Sequence, residues 1–332
     1  MHYIAFPPQG QVSPVLHVGA KAGLRDFDPS CSTCVELVRT PSPRDKGLCQ
    51  IRDSNWTMAW RVIDAHIHLS ENKEDALRAY ARLSGLKYTL DELLRIMDRN
   101  AVAQGLILTS VTKAGELLPN EDVMELCGRN RGRLSPVLSV APSYAKVSDA
   151  IRLAKRGKIP VKAFKIMLGY GGARASDRVF DRLLDYAESE DLPVMFHTGD
   201  TAIASGDLAD AHPLTLDALA NRRHDLRIVA CHFGNPWIDD VAELIYKQPN
   251  VYADISGLTA SGGKYSVQYA KSVAEKLSRA IYFAGGADKI VFGSDYPVMH
   301  PARAISLVSE LEIDSKDRRR ILSDNAKKIF ML

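Results

Sequence analysis

From Met58 onward, short β-branched apolar runs alternate with amphipathic stretches, and the pattern repeats eight times. The strand candidates are Arg61–His68, Val102–Thr109, Pro136–Ala141, Val161–Leu168, Pro193–His197, Arg227–His232, Val251–Ser256 and Ile290–Asp295. Helical signatures fall between them. Thr89-Leu-Asp-Glu92 is a capping box ahead of Leu93, Leu94 and Met97. Val179, Leu183, Leu184 and Ala187 mark one helical face, and Pro213 suits a first helical position. Strands that alternate with helices predict a parallel sheet covered by helices. Eight such units in about 270 residues predict the α/β class and, within it, a (β/α)8 TIM barrel.

The first 57 residues have a different texture. They are rich in Pro, Gly, Ser and Cys, and Pro7, Pro8, Pro14, Pro29, Pro41 and Pro43 break any helix or central strand drawn there. The expected division is therefore an irregular N-terminal extension over 1–57 and a barrel over 58–332. Met58 reads as a natural start or as the domain boundary, so the extension is either not native to the chain or loosely ordered. The alternative is an ordered strap packed on the domain.

Charge and cysteine content narrow the class of partner. Lys+Arg minus Asp+Glu is 43 − 40 = +3, too small a surplus for a nucleic-acid binder. No stretch approaches the ~18 apolar residues of a membrane span, and no signal-peptide pattern opens the chain. Five irregularly spaced cysteines do not form a secreted disulfide framework, which points to a reduced, cytoplasmic setting. Cys31-Ser-Thr-Cys34 with Cys49 has zinc-like spacing but no fourth ligand.

Polar residues at the strand ends carry the chemistry. Asp64, His66 and His68 alternate along the first strand, so a period of two aims all three into the barrel. His197 ends the fifth strand, His232 the sixth, and Asp295 the eighth. In a barrel these ends meet at one mouth, where active sites are built. Histidine nitrogens with one carboxylate suit a single divalent ion, Zn²⁺ first and Mn²⁺, Fe²⁺ or Co²⁺ after it.

These motifs resemble those of the amidohydrolase superfamily, in the branch related to aminocarboxymuconate-semialdehyde decarboxylase. The matching residues are Asp64-Ala-His-Ile-His68, His197-Thr-Gly199, His232-Phe-Gly234, Gly293-Ser-Asp-Tyr-Pro297 and the closing Asp324-Asn-Ala-Lys-Lys-Ile-Phe330. The likeness spans Met58 to Leu332. It implies that His66, His68, His197 and Asp295 hold the metal and that Asp295 and His232 are catalytic. Asp295 would accept a proton from water and pass it to the leaving group. His232 would either polarise a carbonyl or shuttle a proton.

Three more residues are substrate-binding candidates. Lys165 alternates inward with Ala163 and Met167. It is read as a cation for a substrate carboxylate, as electrostatic support, as the partner of a nearby acid, or as a carbamate bridge between two metals. Arg174 closes the glycine-rich Gly169-Tyr-Gly-Gly-Ala-Arg174 loop and is either an anion ligand or solvated. Asp254 alternates inward with Tyr252 and Ser256, to line the pocket or serve a hydrogen-bonded structural role. Cys231 is expected to face outward as a small core residue.

The resulting expectation is a metal-dependent hydrolase acting on a C–N or C–O bond of a small polar substrate. A non-oxidative metal-dependent decarboxylase on the same scaffold is the closest rival, and a non-catalytic barrel the third reading. The expected partner is a small molecule, with neither nucleic acid nor membrane. A homodimer is the commonest arrangement for such domains.

Overall fold

The computed structural model describes residues 61–70, 77–109, 111–112, 115–116, 118–170, 172–259 and 267–332. The 1–57 extension, with its Cys31, Cys34 and Cys49, lies outside the described residues. Eight strands form one sheet: β1 (Val62–His68), β2 (Val102–Leu108), β3 (Leu134–Ser139), β4 (Ala163–Ile166), β5 (Val194–Phe196), β6 (Ile228–Ala230), β7 (Val251–Asp254) and β8 (Ile290–Val291). Each pairs in parallel with the next in chain order. Backbone bonds from Ala65 N to Phe292 O (2.9 Å), Asp295 N to His66 O (2.8 Å) and His68 N to Tyr296 O (2.7 Å) join β1 to the chain leaving β8. The barrel is thereby closed, and all eight expected strands are present. An antiparallel ribbon, Val111–Thr112 with Gly115–Glu116, follows β2.

The helices are the expected amphipathic ones. Thr89 Oγ1 accepts the Glu92 amide at 3.3 Å and caps Leu90–Arg99, which buries Leu93, Ile96 and Met97. Asp181–Ser189 buries Leu183, Leu184 and Ala187, with the Tyr186 ring against Phe164 of β4. Among the described residues, no helix is long and apolar enough to cross a membrane.

Interior packing fills one end of the barrel and leaves the other for polar groups. Ile63, Ala65, Leu106, Leu108, Val137, Ala163, Met195, Val229, Cys231 and Val291 form the interior cluster, joined by Ala326, Ile329 and Phe330 of the last helix, Asn325–Phe330. That helix seats under the strand beginnings. Arg227, just before β6, donates to Ile329 O at 2.6 Å, and Lys162, just before β4, donates to Met331 O at 2.6 Å. Burial of Phe330 alone stabilises the fold by about 1.5–3 kcal/mol.

One expectation about β1 is corrected. Its pairing with β2 shifts register between Asp64 and Ile67, which breaks simple alternation. Ile63 and Ala65 point into the interior cluster. Asp64 between them does not, and its Oδ1 instead accepts the amides of Ser294 (2.9 Å) and His66 (3.2 Å). Ile67 packs outward over Gly105, where a Cβ would lie 2.5 Å from the Ile67 Cδ1. The shift delivers His66 and His68 to the mouth.

Candidate metal centre

Each polar residue of the mouth is placed where a strand ends. His66 and His68 close β1, and His197 directly follows β5. After β6 the chain turns sharply: His232 and Phe233 have φ of 58° and 44°, in the left-handed region. That turn corrects the outward reading of Cys231. Its thiol faces the interior beside Val229, and His232 still reaches the mouth. Asp295 also has a positive φ, 60°, and its amide is bonded to His66 O. The ladder of β8 ends early, and Gly293 permits the close approach. A Cβ there would lie 2.7 Å from the His66 Cβ.

His66, His68 and Asp295 converge. Asp295 Oδ1 is 3.6 Å from His66 Nε2 and 3.3 Å from His68 Nε2, and ligand atoms of the three residues lie within 4.8 Å of one another. The remaining nitrogens fix the tautomers. His66 Nδ1 meets Asp254 Oδ2 at 2.9 Å, and His68 Nδ1 meets Leu108 O at 3.1 Å. Both oxygens are acceptors, so both Nδ1 atoms carry hydrogen. His66 Nε2 is buried with no hydrogen-bond partner. A bare ring nitrogen facing a carboxylate oxygen needs a cation or an added proton between them. The donor set of two imidazoles and one carboxylate fits a divalent transition metal.

His197 stands beyond this group, linked to it through His232. The His232 ring centroid is 4.9 Å from those of both His66 and His197. His197 Nε2 donates to Asp200 O at 3.0 Å, which leaves its Nδ1 bare. The Tyr170 ring stands edge-on to His197 at 4.8 Å.

Burial sets the charges. It pushes His66 down to about 3, aided by the charge of Lys165, and it holds His197 well below the ordinary histidine range, aided by His232. His232 is lowered by burial as well. All three imidazoles are therefore neutral near pH 7, the form that binds metals. For Asp295, burial works to raise the pKa, but the contact with His68 holds it below the usual carboxylate range. Asp254 is likewise opposed by burial and held low by the hydrogen bond from His66 and the charge of Lys165. Asp64 is the exception, pushed up to about 7 by burial.

The three substrate-binding candidates sit differently. Asp254 is fully buried and bonds to His66, with its second oxygen on the amides of His232 (2.9 Å) and Ser256 (3.0 Å). Lys165 faces inward as expected, is buried, and donates to Cys231 Sγ at 2.8 Å. Among the described residues it forms no ion pair, and its charge acts on the buried Asp254. Arg174 is solvated: its side chain is 65% exposed and pairs with Asp210 at 3.0 Å.

Sequence patterning missed Tyr170 and Asp200, because both lie on loops that no periodicity describes. Burial, with Asp200 and Asp295 nearby, holds the Tyr170 hydroxyl well above its ordinary range.

In a closed parallel barrel, a histidine–carboxylate cluster at the C-terminal strand ends stands where barrel enzymes carry their active sites. The chain belongs to the amidohydrolase family: a family model described as Amidohydrolase matches residues 63–332. No curated protein matches the chain. Solved structures share the fold. An amidohydrolase from Burkholderia multivorans with bound zinc is 18% identical at a TM-score of 0.65, covering 82% of this chain and 100% of that one. A probable 2-pyrone-4,6-dicarboxylic acid hydrolase from Acinetobacter baumannii, with citric acid bound, is 16% identical at 0.60, covering 82% and 100%. The 5-carboxyvanillate decarboxylase from Novosphingobium aromaticivorans, complexed with manganese and 4-hydroxy-3-methoxy-5-nitrobenzoic acid, is 15% identical at 0.58, covering 82% and 97%. Both zinc and manganese thus occur on this scaffold, and so do hydrolases and decarboxylases.

Proposed function

We propose that this amidohydrolase-superfamily chain is a metal-dependent hydrolase that cleaves a C–N or C–O bond in a small polar substrate. The observation that carries the reading is the meeting of His66 and His68 with Asp295, with His66 Nε2 buried and unpaired. His66, His68, His197 and Asp295 are the residues proposed to hold one divalent ion, zinc first. Such an ion, when bound, polarises a carbonyl and brings the pKa of water down to about 7.

The chain's own groups supply the rest. Asp295 Oδ1 is the oxygen nearest both imidazoles, while Oδ2 lies over Gly257, where a Cβ would sit only 2.8 Å away. Oδ2 is the atom proposed to receive the proton of the attacking water and return it to the leaving group. His232, between His66 and His197, reaches the same space. Hydrolysis is preferred over decarboxylation because neither cation expected to hold a substrate carboxylate is open to the mouth. Lys165 is enclosed on Cys231, and Arg174 is turned to Asp210. The decarboxylase reading keeps its place because a manganese-bound decarboxylase shares the scaffold.

Metal content by mass spectrometry tests the reading, on protein purified without chelators beside His66→Ala and His197→Ala. About one equivalent of a transition metal, lost in both variants, is the expected result and leads to parallel screens of amides, lactones and aromatic acids. No metal bound, and none taken up on addition, would overturn it.

A further inference from the structure

The sequence leaves His232 two roles, as a donor that polarises a carbonyl or as a group that takes up a proton. The two need different tautomers, and the surroundings of its ring decide between them. Its Nδ1 has two oxygen neighbours on one residue, the Ser256 carbonyl at 3.2 Å and the Ser256 hydroxyl at 2.9 Å. A carbonyl can only accept. The hydroxyl has a single hydrogen, and its shortest contact, 2.5 Å, is to Asp254 Oδ1. Asp254 is buried, and the same oxygen accepts the amides of His232 at 2.9 Å and Ser256 at 3.0 Å, so it faces Ser256 as an acceptor. The Ser256 hydrogen therefore goes to Asp254, and both Ser256 oxygens face His232 as lone pairs. His66 does not compete for this arrangement. Its Nδ1 is 3.1 Å from Ser256 Oγ but closer, 2.9 Å, to Asp254 Oδ2.

We propose that Ser256 is a positioning residue that holds His232 as the Nδ1–H tautomer, leaving the Nε2 lone pair free as a proton acceptor. Asp254 fixes the hydroxyl, the hydroxyl fixes the ring, and the same carboxylate grips the His232 amide at 2.9 Å. One buried acid thus orients His66 directly and His232 through Ser256. The consequence for chemistry rests on the hydrolase reading: His232 accepts a proton from water or substrate and does not donate a hydrogen bond to a carbonyl oxygen. The tautomer itself does not depend on that reading.

The test is long-range ¹H–¹⁵N correlation on the full chain labelled at histidine, as purified and after chelation, with His232→Gln to assign the signal. The wild type should show His232 with a protonated Nδ1 and a bare Nε2. Ser256→Ala, which removes the hydroxyl, should bring in the second tautomer, and Ser256→Thr, which restores it, should return the spectrum to the wild-type pattern. With a substrate in hand, Ser256→Ala should lower kcat by about 10-fold or more, shift the acidic limb of the pH profile and leave KM nearly unchanged, with Ser256→Thr recovering most of the rate. Equal melting temperatures for the three proteins would separate positioning from folding. An Nε2–H tautomer in the wild type, or an unchanged His232 signal in Ser256→Ala, would overturn the proposal. Neither result would touch the hydrolase reading, which stands or falls on metal content.

Discussion

Asp254 Oδ2 receives the Nδ1 hydrogen of His66 at 2.9 Å, a bond between two fully buried side chains 188 positions apart in sequence. It turns the bare Nε2 of His66 toward Asp295 and keeps it there. Partners of this kind orient metal-binding imidazoles and make them more basic. Asp254→Asn keeps the shape and removes the charge. The variant is expected to fold and to bind zinc about 10- to 100-fold more weakly, as read by chelator competition. Unchanged affinity would mean that His66 is held by its packing alone.

The last helix makes a prediction about stability. Phe330 is fully buried in the interior cluster with Ala326 and Ile329, beneath the strands whose far ends carry the site. Phe330→Ala removes a large apolar side chain from a site closed on all sides. A loss of about 3–5 kcal/mol is expected in chemical denaturation. A loss below about 1 kcal/mol would show that the barrel floor is not completed by this helix.

The barrel was legible because strands of a parallel sheet are buried on both faces and read as apolar runs, so that a histidine or aspartate ending such a run stands out. His66, His68, His197, His232 and Asp295 stand out in this way. Side-chain direction was less legible, because alternation assumes an unbroken pleat. The register shift in β1 turned Asp64 away from His66, and the left-handed turn at His232 brought Cys231 inward. Contacts between strands distant in sequence, such as Lys165 with Cys231, leave no mark on local pattern. Nor do loop residues such as Tyr170 and Arg174, whose positions are set by what they pack against.

Gly199 predicts a steric limit next to the site. It follows His197 by two residues, has a φ of +98°, and a Cβ there would come within 2.4 Å of the Asn235 carbonyl oxygen. The approach joins the loop after β5 to the turn after β6, which hold His197 and His232. Gly199→Ala must strain the backbone and push the two loops apart. The expected cost is about 1–3 kcal/mol in denaturant titrations, with a weakened metal site. A variant with wild-type stability would show that the two loops can separate freely.

Asp295 carries the last prediction, because both of its proposed tasks fall on one carboxylate. Its Oδ1 faces the two imidazoles, and its Oδ2 is assigned the proton. Asp295→Asn preserves size and one oxygen donor but cannot take up a proton near neutral pH. Metal binding should therefore weaken without vanishing, since His66, His68 and His197 remain. Turnover should fall by a factor of about 10² or more even when metal is supplied in excess. The two readouts separate the tasks. Lost metal with full activity restored on metal addition would make Asp295 a ligand only. Retained metal with near wild-type turnover would remove it from proton transfer and leave His232 as the remaining acceptor in the mouth.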